Sequence, residues 1–244
     1  YTEREMAHQF KDSNAKAILI LANMADKLEK VLDKTDIKHV LVTQLGDLHD
    51  VPKRWLINAV VKHVKKMVPA YSLPSAVGFR DALKKGASLK HTPVERTLDD
   101  LAALQYTGGT TGMPKGAMLT NMLQARSAIG EHLTDGEELV IAPLPVYHIY
   151  TFTVNCRFLM ETGNHSLLIT NPRDLPNFVK ELKGLPFTGF IGLNTLFNAL
   201  CNRDDFKQLD FSKLKLTISG GMALTKAAAQ RWEDTTGCPI AEGY

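Results

Sequence analysis

The chain has almost no cysteine: 3 in 244 residues, Cys156, Cys201 and Cys238, far apart and without a CxxC pair. That excludes a disulfide framework and a thiolate zinc site, and it fits a reducing cytoplasm. No apolar run approaches the roughly 18 residues that a membrane-spanning helix needs. No basic start followed by an apolar block and a small-residue cleavage site marks a secretory leader. An excess of one charge is also missing, since 29 Lys and Arg against 26 Asp and Glu leave a formal net charge of +3. Such a balance suits a polyanionic small molecule and is far too weak for a nucleic-acid surface, of which no motif is present. Internal repeats and low-complexity tracts are absent. What remains is an ordinary globular composition, 44% hydrophobic and 23% charged, long enough to bury a full core as one large domain or two small ones. The chain begins at Tyr1 without Met and stops at Tyr244 directly after PIAEG, so it reads as an internal piece of a longer protein.

The most informative stretch is Leu104 to Thr120, LQYTGGTTGMPKGAMLT. Thr107, Gly108, Gly109, Thr110, Thr111 and Gly112 are small residues with free N–H groups and hydroxyls. Glycines let such a run approach a ligand closely, so that several N–H dipoles converge on one phosphate. Lys115 adds a mobile positive charge, with Pro114 stiffening the turn before it. Walker A requires Gly before the Lys and Ser or Thr after it, and here those places hold Pro114 and Gly116. The GxGxxG spacing of a dinucleotide fold is absent as well. The stretch therefore reads as a polyphosphate cradle of another kind, against the alternative of a flexible surface loop.

Around it the chain alternates. Thr2 and Glu5 have the form of a capping box opening a helix over Tyr1 to about Lys11. Ala17–Leu21 and Val40–Thr43 read as strands, with an amphipathic helix over Met24 to Leu32 between them: a βαβ unit, which requires a parallel sheet. Lys53 to Val68 places Leu56, Val60, Val64 and Met67 on one helical side and Lys62, Lys65 and Lys66 away from it. A surface helix packing its apolar side on the core is one reading, and peripheral contact with an anionic membrane, with Trp55 at the interface, is the other. A helix from Asn121 to about Leu133 follows the cradle. Strands at Leu139 to Pro143, His165 to Thr170, Thr188 to Gly192 and Lys215 to Ser219 alternate with helices at Thr151 to Met160, Pro172 to Leu182 (capped by Asn171), Asn194 to Asn202 and Thr225 to Thr235. The fold class is α/β, with layered parallel or mixed sheets flanked by helices. Residues 1–100 form a first α/β portion and link, and 101–244 carry the cradle and the rest of the binding apparatus. PLPVYHIY puts Tyr147 and His148 at a strand's carboxyl end, where open α/β sheets bind ligands.

YTGGTTGMPKGAMLT resembles the phosphate-binding signature of the adenylate-forming enzymes (acyl-CoA ligases, peptide-synthetase adenylation domains, luciferases). Its GGTTG form is most similar to bacterial long-chain fatty acid CoA ligases. PLPVYH resembles the second core motif of that family, and IAEGY at Ile240 to Tyr244 the start of a third. The resemblance implies the large N-terminal AMP-binding domain of an adenylate-forming enzyme, without its C-terminal domain. It also implies ATP, magnesium and coenzyme A as cofactor and co-substrates, and a fatty acid as the substrate.

In that scheme Lys115 and His148 are catalytic. Tyr106, Thr107, Gly108, Gly109, Thr110, Thr111, Gly112, Lys115 and Gly116 hold phosphates. Gly220, Gly221, Met222, Glu242, Gly243 and Tyr244 form the adenine slot. Tyr147, His148, Gly189, Ile191, Gly192, Asn194, Thr195 and Phe197 line the acyl side, and Thr107 acts indirectly on magnesium. The segment after Thr120 is shorter than the family's. A homodimer and a peripheral position on the inner face of a cytoplasmic membrane stay open. So do three further readings: an acyl-AMP ligase, an amino-acid adenylation domain and a non-catalytic binding module. The 244 residues alone are expected to bind nucleotide weakly at most.

Overall fold

The computed structural model describes residues 2–97, 99–107, 113–120 and 130–243. It divides the chain into two compact units, 1–120 and 121–244. The strands flanking the cradle, Ala103–Thr107 and Lys115–Leu119, both fall in the first unit.

The first unit opens with helix α1, Glu3–Asp12. Thr2 accepts from the Glu5 N–H and the Glu5 carboxylate accepts from the Thr2 N–H, so the capping box is formed on both sides. Strands β1, Ala17–Leu21, and β2, His39–Thr43, pair in parallel, and β3, Val77–Gly78, adds to β2. Met6 of α1 is buried with Ile20, Leu28, Val31 and Val40, which closes one face of this sheet. The helix expected over Met24 to Leu32 is broken into 3-10 turns at Ala22–Met24 and Leu32–Lys34 around a short α-helix, Ala25–Glu29. Strands β4, Ala103–Thr107, and β5, Lys115–Leu119, form an antiparallel pair of their own.

The segment from Lys53 is α-helical over Lys53–Ala59 and π-helical over Val60–Val64. Its apolar side is not packed on the core: Trp55, Leu56, Val64 and Met67 are all more than half exposed. No helix among the described residues is long and apolar enough to cross a membrane.

The second unit is built on a five-stranded parallel sheet: β6 (Leu139–Ala142), β7 (His165–Leu168), β8 (Gly189–Gly192), β9 (Leu216–Ser219) and β10 (Ile240–Glu242), in the order β10-β9-β8-β6-β7. All four residues of β8 and all four of β9 are buried, as strands covered on both faces must be. The helix after β7 starts at Leu175 and is capped by the Asp174 carboxylate, not by Asn171; Pro176 at the second helical position needs no N–H partner there. The helical run after His148 is π-helical over Phe152–Phe158. The expected helix from Asn121 lies outside the described residues, apart from a 3-10 turn at Gly130–His132.

Trp232, in helix Lys226–Thr236, is the centre of the core. Its ring centroid lies 4.8 Å from that of Phe197, 4.9 Å from Phe190 and 5.6 Å from Phe206, and its indole N–H donates to Thr217 Oγ1 at 3.0 Å. A second anchor fixes the sheet's amino edge. Glu138, just before β6, is buried and accepts from Lys215 Nζ at 2.6 Å, just before β9, and from the Thr134 N–H. Burial alone would raise its pKa, but the hydrogen bonds from Lys215, Thr134 and Thr188 outweigh it and hold the carboxyl below the ordinary value of 4.5.

Two outcomes follow from this core. Trp232→Ala removes the indole and its hydrogen bond together, and should cost about 3–5 kcal/mol, read as an earlier denaturation midpoint of the second unit. A carboxyl whose folded pKa is depressed stabilises the fold above its unfolded value and loses that contribution as pH falls through the folded value. Thermal melts should therefore show wild type losing stability more steeply than Glu138→Gln below about pH 4.5; parallel curves for the two proteins would contradict the assignment.

Candidate active site

In the first unit, antiparallel register sets Tyr106 opposite Gly116 and Thr107 opposite Lys115. A hydroxyl and an ammonium thus stand side by side where the chain enters and leaves the glycine-threonine stretch. Gly108, Gly109, Thr110, Thr111 and Gly112 themselves lie outside the described residues. Lys115 is exposed and has no ion-pair partner among the described residues, so its charge is available to an anion. Tyr106 is buried, and its hydroxyl donates to Asp12 Oδ2 at 2.5 Å. Burial, and then the Asp12 carboxylate, push its pKa up to about 12, so it stays protonated at neutral pH. A methyl group on Gly116 would stand 3.0 Å from Tyr106 Cζ. Gly116 is therefore small because the Tyr106 ring covers it.

In the second unit, parallel strands put every carboxyl end on one edge. The chain runs from β6 to β7 on one side and from β8 to β9 and β10 on the other, so the order reverses between β6 and β8. Ligand crevices form at such a switch point. A cleft of ≈ 770 Å³ opens beside β9 and β10, with Leu216 and Ile218 of β9 and Ala241 and Glu242 of β10 among its walls and the segment from His148 to Val154 along its other side. His148, Gly221, Met222, Glu242 and Gly243, all singled out from the sequence, border it.

His148 caps the helix that follows it: its Nδ1 accepts from the Tyr150 N–H at 3.3 Å. With Nδ1 occupied as an acceptor, the neutral ring carries its proton on Nε2. The strand-end prolines and this cap together fix the imidazole at the cleft as a donor.

The turn after β9 is built by glycine and clamped from two sides. A methyl group on Gly220 would stand 2.9 Å from Tyr150 Cζ, and Gly221 has φ +83°, in the left-handed region. Glu242 accepts from the Leu224 N–H at 2.9 Å. Asn194 accepts from the Thr225 N–H at 3.0 Å and donates to the Ala223 carbonyl at 2.5 Å. Both side chains therefore hold the turn, Asn194 from the start of the neighbouring helix, Asn194–Cys201.

Six of the expected acyl-side residues lie away from this cleft. Ile191 and Phe197 are core residues at 1% and 0% exposure. A methyl group on Gly192 would stand 2.6 Å from Phe197 Cε1, and one on Gly189 2.9 Å from Val140 Cγ2, so the space beside each glycine is already filled. Thr195 is exposed and Tyr147 is 80% exposed, and neither is among the residues bordering the cleft. Tyr244 lies outside the described residues. Conversely, the cleft is bordered by His132, Tyr150, Thr153 and Ala223, which sequence reasoning passed over. Tyr150 and Thr153 sit three apart, so helical spacing after His148 could have found them. Nothing around His132 signals its place.

The chain is similar throughout its length to known proteins. A long-chain-fatty-acid–CoA ligase of Escherichia coli O157:H7 is 50% identical over 250 residues, covering 100% of this chain and 45% of that protein. One from Haemophilus influenzae is 49% identical over 254 residues, again covering 100% and 45%. Both alignments are longer than the chain, so it lacks some positions that these relatives have, and it spans less than half of their length. Among solved structures, the anthranilate CoA ligase AuaEII in complex with anthranoyl-AMP superposes with a TM-score of 0.72 at 18% identity, over 100% of this chain and 44% of that one. ATP-bound MatB from Rhodopseudomonas palustris gives 0.68 at 21% identity, over 99% and 42%. These neighbours share the fold. The family model described as AMP-binding enzyme matches residues 1–244, and the chain belongs to that family.

Proposed function

We propose that the whole protein activates a long-chain fatty acid with ATP, forming acyl-AMP and pyrophosphate and then acyl-CoA and AMP. The observation that carries this reading is the cleft beside β9 and β10, which His148 and the glycine turn after β9 border together. The substrate class rests on the ligases that share half of the sequence.

A carboxylate is a poor acylating agent because its leaving group would be oxide. Attack of a carboxylate oxygen on the α-phosphorus, with the bond to pyrophosphate breaking, replaces that leaving group with AMP. The thiol of coenzyme A then attacks the acyl carbon, and AMP departs. The protein's part is to position the reactants and to offset charge where it develops. Lys115 is assigned the charge on the departing pyrophosphate. His148 is assigned the carboxylate or α-phosphate oxygen, to which its Nε2–H donates. The turn from Gly220 to Ala223 offers a flat surface of backbone to the base.

Magnesium is read as part of the substrate, carried by the triphosphate. Among the described residues no three His, Cys, Asp or Glu side chains gather into a metal site, and Thr107 offers a single hydroxyl.

Fatty-acid-dependent exchange of pyrophosphate into ATP by the full-length protein tests the first half-reaction. Lys115→Ala should lower exchange by about 100-fold or more, through apparent ATP affinity, turnover or both. An unaffected mutant would remove Lys115 from the mechanism, and an exchange that ignores fatty acids would remove the substrate. We also assign Lys53 to Val68 to contact with an anionic membrane, because Trp55, Leu56 and Val64 are exposed beside Lys62, Lys65 and Lys66. Anionic vesicles should carry the full-length protein in flotation and neutral ones should not; equal flotation with both would contradict a charge-dependent contact.

A further inference from the structure

Helix α1 reaches the chain on both sides of the glycine-threonine stretch, at Tyr106 of β4 and at Pro114, just before β5. On one side it is fastened to the three-stranded sheet through Met6, with Ala7 and Phe10 packed beside it. From the other side His8 and Asp12, one helical turn apart, reach the hairpin. Asp12 Oδ2 accepts from the buried Tyr106 hydroxyl at 2.5 Å, and Gln9 O lies 3.5 Å from the same hydroxyl. His8 Nε2 lies 3.1 Å from the carbonyl oxygen of Pro114, to which it donates. Tyr106 immediately precedes Thr107, and Pro114 immediately precedes Lys115. The two hydrogen bonds therefore grip the chain once before the stretch and once after it, more than ninety residues away in sequence.

Two features show that this grip is built to hold. The capping box fixes the amino end of α1, and the Ser13 N–H donates to the Gln9 carbonyl at its carboxyl end, so the two gripping residues sit in a helix closed at both ends. The Tyr106 ring covers Gly116 on the opposite strand, where even a methyl group would crowd it. A ring confined in this way cannot swing while Asp12 holds its hydroxyl, and the register that pairs Thr107 with Lys115 is fixed along with it.

We propose that His8 and Asp12 are positioning residues for the phosphate-binding hairpin, acting through Pro114 and Tyr106 to keep Lys115 and Thr107 side by side. Neither touches the substrate. The inference rests on the reading of Lys115 as a phosphate ligand. It adds that α1, far from the motif in sequence, sets the geometry on which tight binding of ATP depends.

The full-length protein tests it by steady-state kinetics with ATP and with fatty acid varied separately. The variants are Asp12→Ala, Asp12→Asn, Tyr106→Phe, His8→Ala and the double variant Asp12→Ala with Tyr106→Phe, with melting temperature measured alongside and Lys115→Ala as the control. Asp12→Ala and Tyr106→Phe should each raise KM for ATP by about tenfold, with KM for the acid within about twofold of wild type. His8→Ala should move KM for ATP in the same direction. Asp12→Asn keeps an acceptor for the tyrosine hydroxyl and should stay near wild type, and the double variant should be no worse than the worse single one. Tyr106→Phe keeps the ring against Gly116 and carries the test should Asp12→Ala fail to fold. Unchanged KM for ATP in Asp12→Ala and Tyr106→Phe, in a protein that Lys115→Ala disables, would overturn the clamp and leave the proposed reaction standing. Equal losses for both substrates in step with a lowered melting temperature would also overturn it, leaving α1 a purely structural role. No effect of Lys115→Ala would overturn the reading of the hairpin itself.

Discussion

The constraint on which the second unit depends is the parallel alignment of its five strands. Parallel strands must be joined by crossovers, so each strand leaves the sheet on the same edge and every exit is free to carry a functional turn. Here the edge gathers a proline-bounded segment ending in His148, the helix start at Asn194, the glycine turn at Gly220 and Gly221, and the end of β10 at Glu242. The opposite edge carries the Glu138–Lys215 pair, which ties the start of β6 to the start of β9 across β8. Cohesion and chemistry are thus separated along the strand direction.

Within the cleft, polar groups are spent on shape before they are available to a ligand. Asn194 and Glu242 use backbone partners from Ala223 to Thr225 and so fix a turn that glycine alone would leave adaptable. His148 uses one ring nitrogen on its own helix, which leaves the other with a defined proton. A preorganised donor and a preorganised backbone turn lose little freedom when a nucleotide or a developing charge arrives. The hairpin of the first unit follows the same logic, because Tyr106 is held by Asp12 while Lys115, across from Thr107, is exposed and has no ion-pair partner among the described residues.

Much of this was legible in the sequence because it depends on local chemistry. The capping box at Thr2 and Glu5, the strand at Ala17–Leu21 and the strand-to-turn passage at Ser219 to Gly221 each follow from a few neighbouring residues. What escaped depends on long-range packing. The sequence does not show that Val140 and Phe197 lie close against Gly189 and Gly192, which the resemblance puts on the acyl side. Leu196, Phe197, Leu200 and Cys201 repeat as a buried helical stripe, and the Phe197 ring lies 4.8 Å from that of Trp232. The apolar side of Lys53 to Val68 left two readings open, since amphipathic spacing gives a face without saying what covers it. His8 and Asp12 carry no motif at all, and only the three-dimensional approach of α1 to the hairpin gives them a role.

The claim that the cleft beside β9 and β10 receives the adenylate is tested most directly by a crystal structure of the full-length protein with a non-hydrolysable acyl-AMP mimic. The account predicts the base lying against the backbone of Gly221 to Ala223, with a phosphate or acyl oxygen within hydrogen-bond reach of His148 Nε2. A mimic seated away from β9, β10 and the glycine turn, with His148 Nε2 facing solvent, would contradict it.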